Sequence, residues 1–365
     1  MTRKNVYYYV SGHGFGHATR SCVVMNALHA VDPTVFFHIR SNAPRWLFAK
    51  NVLAPFEYCF VEVDVGVVQR TIFNIDKQRT LRNCEEALDR APKVMKQELK
   101  FAQEHPPALI VSDIAPLAFE VADKLGVPSV AIAKFSWDGI YEAYVKECRQ
   151  FGPIVEATRA SYRKADLLLR LPFAGDFPAF KKQKAIPFIA RKSTAQKTEV
   201  FETLGIPRTD KKVVLLAFGG VDGAGFMMDG VERNPQYLFV IPTDQAIPRL
   251  PNAVKVPEVV HVRFQDLVKS CDLVVSKPGY GIVSECVANR TPFLYTSRDD
   301  FIEYDVMVKQ LKRYIPSAFI PRMYLVMGDW DVHLDGFIGA KHEWKDVAID
   351  GEVVAAKVLK KYLRS

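Results

Sequence analysis

Residues 6–20 read VYYYVSGHGFGHATR, and the segment Ser21 to Ala30 behind them carries apolar residues at helical spacing. A β-branched and aromatic run, a glycine-rich turn and a helical pattern predict strand, loop and helix in that order. Gly12, Gly14 and Gly16 let the backbone take positive φ and come close to a ligand, while the helix that follows offers unpaired N–H groups and a positive dipole end. The stretch is expected to hold something anionic. Its spacing is G-x-G-x-G, with His17 standing where the dinucleotide fingerprint needs its third glycine, so neither a nicotinamide nor a flavin is expected. His13 and His17 admit two readings: a histidine in a ligand-facing loop accepts a proton near neutral pH, or it caps the helix or contacts phosphate.

Around this stretch the chain is 365 residues long, more than one core usually holds and enough for two domains. A composition of 49% hydrophobic and 25% charged residues is that of an ordinary globular protein. No apolar run approaches the roughly 20 residues of a membrane span, and MTRKNVYYYV lacks a signal-peptide profile, so a cytoplasmic protein is expected. Cys22, Cys59, Cys84, Cys148, Cys271 and Cys286 are scattered with no C-x-x-C pair, which predicts reduced, mostly buried thiols and no zinc site. The net charge of +8 is concentrated: between Lys181 and Lys212 nine basic residues stand against three acidic ones. That stretch reads as a solvated linker and helix face. With only Phe188 and Phe201 as aromatics it does not support stacked nucleic acid, which is not an expected partner.

Further along, strands are predicted over 34–39, 58–65, 108–112, 129–133 and 165–170, the last of these closing the first sheet. Helices are predicted over 45–50, 75–104 with a break near Pro92, and 116–125. Fully apolar strands alternating with helices indicate a parallel, doubly wound sheet. Asp113 falls just past a strand's carboxyl end, where ligands collect in such sheets. It either caps the next helix or orients His17 and stabilises its imidazolium.

The stretch 171–187 reads as a boundary, and a helix at 198–204 leads into a second unit. There VVLLA at 213–217 and the glycine-rich Phe218 to Gly225 repeat the opening organisation. Strands at 238–241, 253–256, 273–276 and 293–296 follow. SKPGYGIVSE at 276–285 predicts a turn through Lys277, Pro278, Gly279, Tyr280 and Gly281, with Ile282 opening a helix that carries Glu285 in its first turn. The helix start suits a diphosphate, and Glu285 either accepts ribose hydroxyls or complements the helix dipole. Arg298, Asp299, Asp300 and Glu303 cluster after a strand, either to meet sugar hydroxyls or as a solvated loop. Asp329-Trp330-Asp331 is a D-x-D tripeptide too short to assign a metal. Residues 351–363 form an amphipathic helix with Val353, Val354, Val358 and Leu359 as its apolar members.

GHGFGHATR at 12–20, VSDIAPLA at 111–118, FSWDGIYEAYV at 135–145, FGG at 218–220 and KPGYGIVSE at 277–285 together resemble the N-terminal, non-kinase part of L-arabinokinases. The resemblance runs in order over nearly the whole chain. A P-x-x-x-G-L-S-S-S ATP loop is missing, so arabinose phosphorylation is not carried over. More distantly the layout is similar to GT-B glycosyltransferases: the UDP-glycosyltransferases and the N-acetylglucosaminyltransferase that makes lipid II.

That resemblance implies two Rossmann-like domains facing across a cleft: an acceptor-side domain over 1–172, a linker over 173–210, a nucleotide-sugar domain over 211–350, and a last helix, 351–365, crossing back to the first domain. It implies an inverting, metal-independent transfer from a nucleoside-diphosphate sugar, foremost a UDP-sugar, to a hydroxyl acceptor, with no cofactor. His17 matches the family's catalytic base and Asp113 its partner. Glu285 matches the ribose ligand, and Asp300 and Glu303 are looser matches to the acidic pair on the sugar. Gly219, Gly220, Lys277, Gly279 and Gly281 would offset the diphosphate charge, Pro278, Tyr280, Gly14 and Gly16 would complete the nucleotide-sugar site, and His13 would contact either the sugar or the diphosphate. The family's D-Q pair is absent, and Ser276-Lys277 replaces its donor-signature histidine. A nucleotide-sugar epimerase or hydrolase, a non-catalytic nucleotide-sugar-binding protein, and transfer at a membrane surface are the alternatives.

Overall fold

The structure is a computed structural model, and it describes residues 3–70, 74–206, 208–218, 227–257, 262–298 and 301–363. The chain divides into two compact units: Met1–Val68, Asp76–Ala190 and Ala348–Ser365 in one, Gln69–Ile75 and Arg191–Val347 in the other.

The first unit runs β1 (Lys4–Val10), α1 (Phe15–Val31), β2 (Val35–Ser41), α2 (Arg45–Asn51), β3 (Phe56–Phe60), α3 (Lys77–Glu104), β4 (Pro107–Asp113), α4 (Leu117–Leu125), β5 (Ser129–Ala133), α5 (Trp137–Val145), α6 (Phe151–Tyr162), β6 (Leu167–Arg170) and β7 (Gln183–Ala185). Its seven strands are all parallel, in the order β3-β2-β1-β4-β5-β6-β7. Helices cover both faces of a parallel sheet, so its central strands are apolar throughout, and every residue of β5 is buried.

The second unit runs α7 (Lys197–Thr203), β8 (Lys212–Leu216), α8 (Met228–Arg233), β9 (Tyr237–Pro242), β10 (Ala253–Val256), α9 (Phe264–Ser270), β11 (Leu273–Ser276), α10 (Tyr280–Asn289), β12 (Phe293–Tyr295), α11 (Ile302–Leu311), β13 (Ser317–Phe319), α12 (Arg322–Met327) and α13 (Asp331–Ile338). Its parallel sheet has the order β10-β9-β8-β11-β12-β13. The two sheets thus share the 3-2-1-4-5-6 winding, and each has its strand-order reversal beside its first strand. The last helix, α14 (Gly351–Tyr362), packs on α1 in the first unit, where Lys360 Nζ donates to the Val31 carbonyl at 2.7 Å.

Several elements depart from the sequence reading. The strand expected over 58–65 ends at Phe60, because the chain leaves the sheet and turns at Gly66, whose φ is +66°. Helix α3 is continuous through Pro92, which is exposed, so water can satisfy the carbonyl that proline cannot. The first sheet does not close at Arg170: β7, inside the expected linker, pairs with β6 by backbone alone, its three residues all exposed. β13 likewise adds an edge to the second sheet. α14 buries Ala355, Ala356, Val358 and Leu359 and leaves Val353 38% exposed, so its apolar face is rotated from the expected one. The six thiols are free, and all but Cys59 are buried. Among the described residues no helix is long and apolar enough to cross a membrane.

Candidate functional site

The strand-order reversal of the first sheet lies between β1 and β4. Val10 is the register partner of Asp113, and Ser11 N–H donates to the Asp113 carbonyl at 2.8 Å. The glycine loop after β1 is therefore delivered directly beside the carboxyl end of β4. Gly14, the residue before α1, takes a positive φ of +84° with ψ 159°, an extended conformation that favours glycine. Gly12 and Gly16 do not, contrary to expectation. At Gly12 a Cβ would stand 2.1 Å from Asn42 Oδ1, a side-chain tip that would have to turn away, and Gly16 lies in the first turn of α1.

Also in the first turn of α1, His17 Nδ1 lies 2.8 Å from Asp113 Oδ1. Asp113 is not a helix cap; it is a buried carboxylate gripped from α1. Arg20 donates Nε to Asp113 Oδ2 at 2.5 Å and Nη2 to Oδ1, and Ser21 Oγ donates to Oδ2 at 3.2 Å. His17, Arg20 and Asp113 are 6%, 6% and 1% exposed. Nδ1 also lies 2.9 Å from Arg20 Nη2; in the tautomer that donates Nδ1–H to the carboxylate, Nε2 keeps its lone pair. Burial, reinforced by the Arg20 guanidinium, holds His17 below the ordinary histidine range. Burial alone would raise Asp113, but Arg20 and His17 hold it below the usual carboxylate range.

Around this cluster the ends of β3 and β5 contribute groups that the sequence reading did not single out. Phe135 meets the His17 ring edge-on at 5.5 Å, and Trp137 meets His13 at 5.3 Å. Trp137 Nε1 donates to Asp64 at 2.9 Å, and burial pushes Asp64 up to about 6. Lys134 is buried beside Phe135. Asp64 and Trp137 also line a cavity of about 760 Å³ within this unit, together with Leu88, Met95, Leu117 and Tyr141.

In the second unit the reversal lies between β8 and β11. Ala217 N–H donates to the Val275 carbonyl at 3.0 Å, and Ser276 Oγ donates to the Ala217 carbonyl at 2.5 Å. Lys277, Pro278 and Gly279 thus follow β11 at that point. Burial and the neighbouring Arg298 pull Lys277 down to about 8. Helix α10 opens at Tyr280, earlier than expected, which puts Gly281 inside its first turn and Glu285 beyond it. A dipole role for Glu285 in a first turn is thereby ruled out. Glu285 is 5% exposed; Oε1 accepts from Arg191 Nε at 2.7 Å, and Oε2 has no hydrogen-bond partner among the described residues. Burial raises its pKa against the opposing pull of Arg191.

Glu303 is buried in the first turn of α11, after the next strand over. Gly219, Gly220, Asp299 and Asp300 lie outside the described residues. Trp330 of the D-x-D tripeptide is a core residue, 2% exposed, donating Nε1 to the Leu325 carbonyl at 2.9 Å.

Sequence reasoning missed Arg20, Asp64 and Arg191. For Arg20 a signal existed: it follows His17 by three residues, so a helix places both on one face. Asp64 and Arg191 sit in irregular segments that carry no periodicity.

Residues 4–150 match the sequence profile of glycosyl transferase family 1. The chain is 30% identical over 355 residues to the L-arabinokinase of Arabidopsis thaliana, covering 96% of this chain and 34% of the relative, so it spans about a third of that protein's length. Its fold is similar to the glycosyltransferase of kitacinnamycin (TM-score 0.63, 14% identity, 99% of this chain and 100% of that one). It is similar also to the calicheamicin glycosyltransferase (TM-score 0.62, 14% identity, 100% and 99%). An Arabidopsis thaliana UGT solved with quercetin gives a TM-score of 0.62 at 13% identity, covering 99% of this chain and 94% of that one. With two reversal-point sites on two 3-2-1-4-5-6 sheets, the chain is a GT-B-fold protein that resembles the L-arabinokinases over nearly all its residues.

Proposed function

We propose that the protein is an inverting, metal-independent glycosyltransferase that moves a sugar from a nucleoside-diphosphate sugar, foremost a UDP-sugar, to an acceptor hydroxyl. The observation that carries this reading is the 2.8 Å contact of His17 Nδ1 with Asp113, which supports Nε2 as the base, at the start of α1. Nε2 takes the acceptor proton as the acceptor oxygen attacks the anomeric carbon opposite the departing diphosphate. The cavity lined by Asp64 and Trp137 supports an acceptor site in the same unit as that base.

In the second unit Lys277 and the N–H groups at the start of α10 offset the charge of the leaving diphosphate. Glu285 Oε2 accepts from ribose hydroxyls, its other oxygen being held by Arg191. Gly219 and Gly220 are assigned to the same diphosphate, and Asp300 and Glu303 to the sugar. His13, Gly14 and Gly16 border the base.

The test is incubation with a panel of nucleotide sugars with and without hydroxyl acceptors, in the presence and absence of a chelator. Acceptor-dependent release of nucleoside diphosphate that survives chelation, with inverted anomeric configuration in the product, is expected. Turnover of the donor alone to an isomerised sugar would replace this reading with an epimerase.

A further inference from the structure

The carboxylate that orients His17 is saturated. Asp113 Oδ1 accepts from His17 Nδ1 and Arg20 Nη2, and Oδ2 accepts from Arg20 Nε and Ser21 Oγ. His17 Nδ1 and Arg20 Nη2 both reach Asp113 Oδ1 and lie 2.9 Å from each other, so with the proton on Nδ1 two N–H groups converge on one oxygen. Helical spacing fixes this arrangement, since residues three apart on α1 share a face.

The consequence is one of charge. In a pair of histidine and aspartate alone, protonating the imidazole turns a buried anion into a neutral ion pair, and a low-dielectric site favours that. Here the bidentate guanidinium has already neutralised the carboxylate, so a proton on His17 would leave the cluster with a net positive charge. Lys134, buried at the end of β5, adds a second cation that opposes it. The other groups facing the cluster do not reverse this. Tyr8 on β1 is kept neutral by burial. Asp64 acts on Asp113 from the segment after β3 and is itself pushed towards its neutral form.

We propose that Arg20 is a positioning residue for His17: by occupying Asp113 it lets the aspartate fix the tautomer and aim of the imidazole while keeping that imidazole uncharged and Nε2 open. The proposal deepens the reading of His17 as the base and rests on it only for its catalytic consequence. The depressed pKa of His17, in which Arg20 is the second cause after burial, points the same way.

The test follows the ring signals of His17 by NMR in the full chain labelled at histidine, across the range in which histidine titrates, about pH 5 to 8. The eight histidines are distinguished by the signal lost in His17→Gln. Arg20→Met removes the charge and keeps the bulk. Proton affinity of His17 is then expected to rise by at least about ten-fold, one pH unit, and the acid limb of the kcat/KM profile to move up by the same amount. Arg20→Lys keeps the charge without the fork, so its titration stays near that of the native protein while kcat falls.

Unchanged titration in Arg20→Met, or equal shifts in both variants, overturns the proposal. Should Arg20→Met not fold, Arg20→Lys alone decides: a moved acid limb overturns the proposal and a fixed limb with lowered kcat supports it. A shifted titration in Arg20→Met together with full transfer activity in His17→Gln supports the tuning by Arg20 and removes the base reading, so the two failures are distinct.

Discussion

His17 and Asp113 are 96 residues apart in the chain and 2.8 Å apart in the fold, both buried, with the imidazole Nδ1 facing the carboxylate. The sheet brings them together, because β1 and β4 are neighbours and each ends at this point. If Nε2 is the base, His17→Gln lowers kcat by about 10²–10⁴-fold, the usual range for a general base, with little change in donor affinity. Steady-state kinetics with titration of the nucleoside diphosphate checks both halves. Full activity in His17→Gln would reject the role.

Asp113→Ala answers a different question. It takes the bidentate carboxylate away from the buried Arg20 guanidinium, a kind of change that costs about 3–5 kcal/mol. Chemical denaturation is expected to show a large loss of stability, alongside any loss of activity. A stability loss below about 1 kcal/mol would mean that Arg20 finds water or another acceptor on relaxation.

Asp64 gives a pH signature in the first unit. Burial raises its folded pKa to about 6 from an ordinary value of 3.8, so between those values the folded state binds more protons than the unfolded state. Its contribution to stability is therefore present at low pH and lost as pH rises through about 6. Asp64→Asn removes that dependence while keeping an oxygen for Trp137 Nε1, and is expected to be more stable than the native protein at pH 8 by on the order of 1 kcal/mol. Melting curves at acidic and alkaline pH check the sign; a variant whose deficit grows with pH would show that Asp64 is charged and well solvated.

Much of this is legible in the sequence. Apolar runs such as ALIV at 108–111 and VVLL at 213–216 are the central strands of parallel sheets, and a sheet buried on both faces writes itself as continuous hydrophobicity. β7 was not legible because Gln183, Lys184 and Ala185 join the sheet through backbone alone, and no side-chain pattern records that. His17 and Asp113 were legible as residues beside strand ends. Their contact needed the adjacency of β1 and β4, and the grip of Arg20 needed the helix to begin at Phe15. Glu285 follows the Lys277 turn in the sequence, but its place beyond the first turn of α10 is not legible there, because Tyr280 and Gly281 are poor helix formers that the fold nevertheless recruits.

The join of α14 to the first unit depends on Gly351. A Cβ there would stand 2.2 Å from the Pro187 carbonyl oxygen and 2.8 Å from Phe188, both backbone, so neither can move aside as a side-chain tip would. Gly351 N–H also donates to the Phe188 carbonyl at 2.9 Å, which pins the helix start to that segment. Gly351→Ala is expected to cost about 1–3 kcal/mol, the scale of overpacking. Hydrogen exchange should speed up first in α14 and in the face of α1 that it covers. Val353→Ala, on the exposed side of the same helix, is the control and should stay within about 0.5 kcal/mol.

Glu285 offers the last prediction, in the second unit. Its Oε1 is held by Arg191 and its Oε2 is buried without a partner among the described residues, an arrangement whose desolvation is only half repaid. If that oxygen accepts ribose hydroxyls, Glu285→Gln replaces a charged acceptor by a neutral one and weakens UDP binding by about ten-fold or more, the difference between charged and neutral hydrogen bonds. Arg191→Met should also weaken binding, because loss of the guanidinium lets burial raise Glu285 further towards its neutral form. The Arg191→Met loss should then shrink at higher pH, where the carboxylate is restored, whereas the Glu285→Gln loss should not. Calorimetric titration of UDP into both variants at two pH values separates the cases, and an unchanged affinity in Glu285→Gln would reassign the residue to holding Arg191 and the segment that precedes α7.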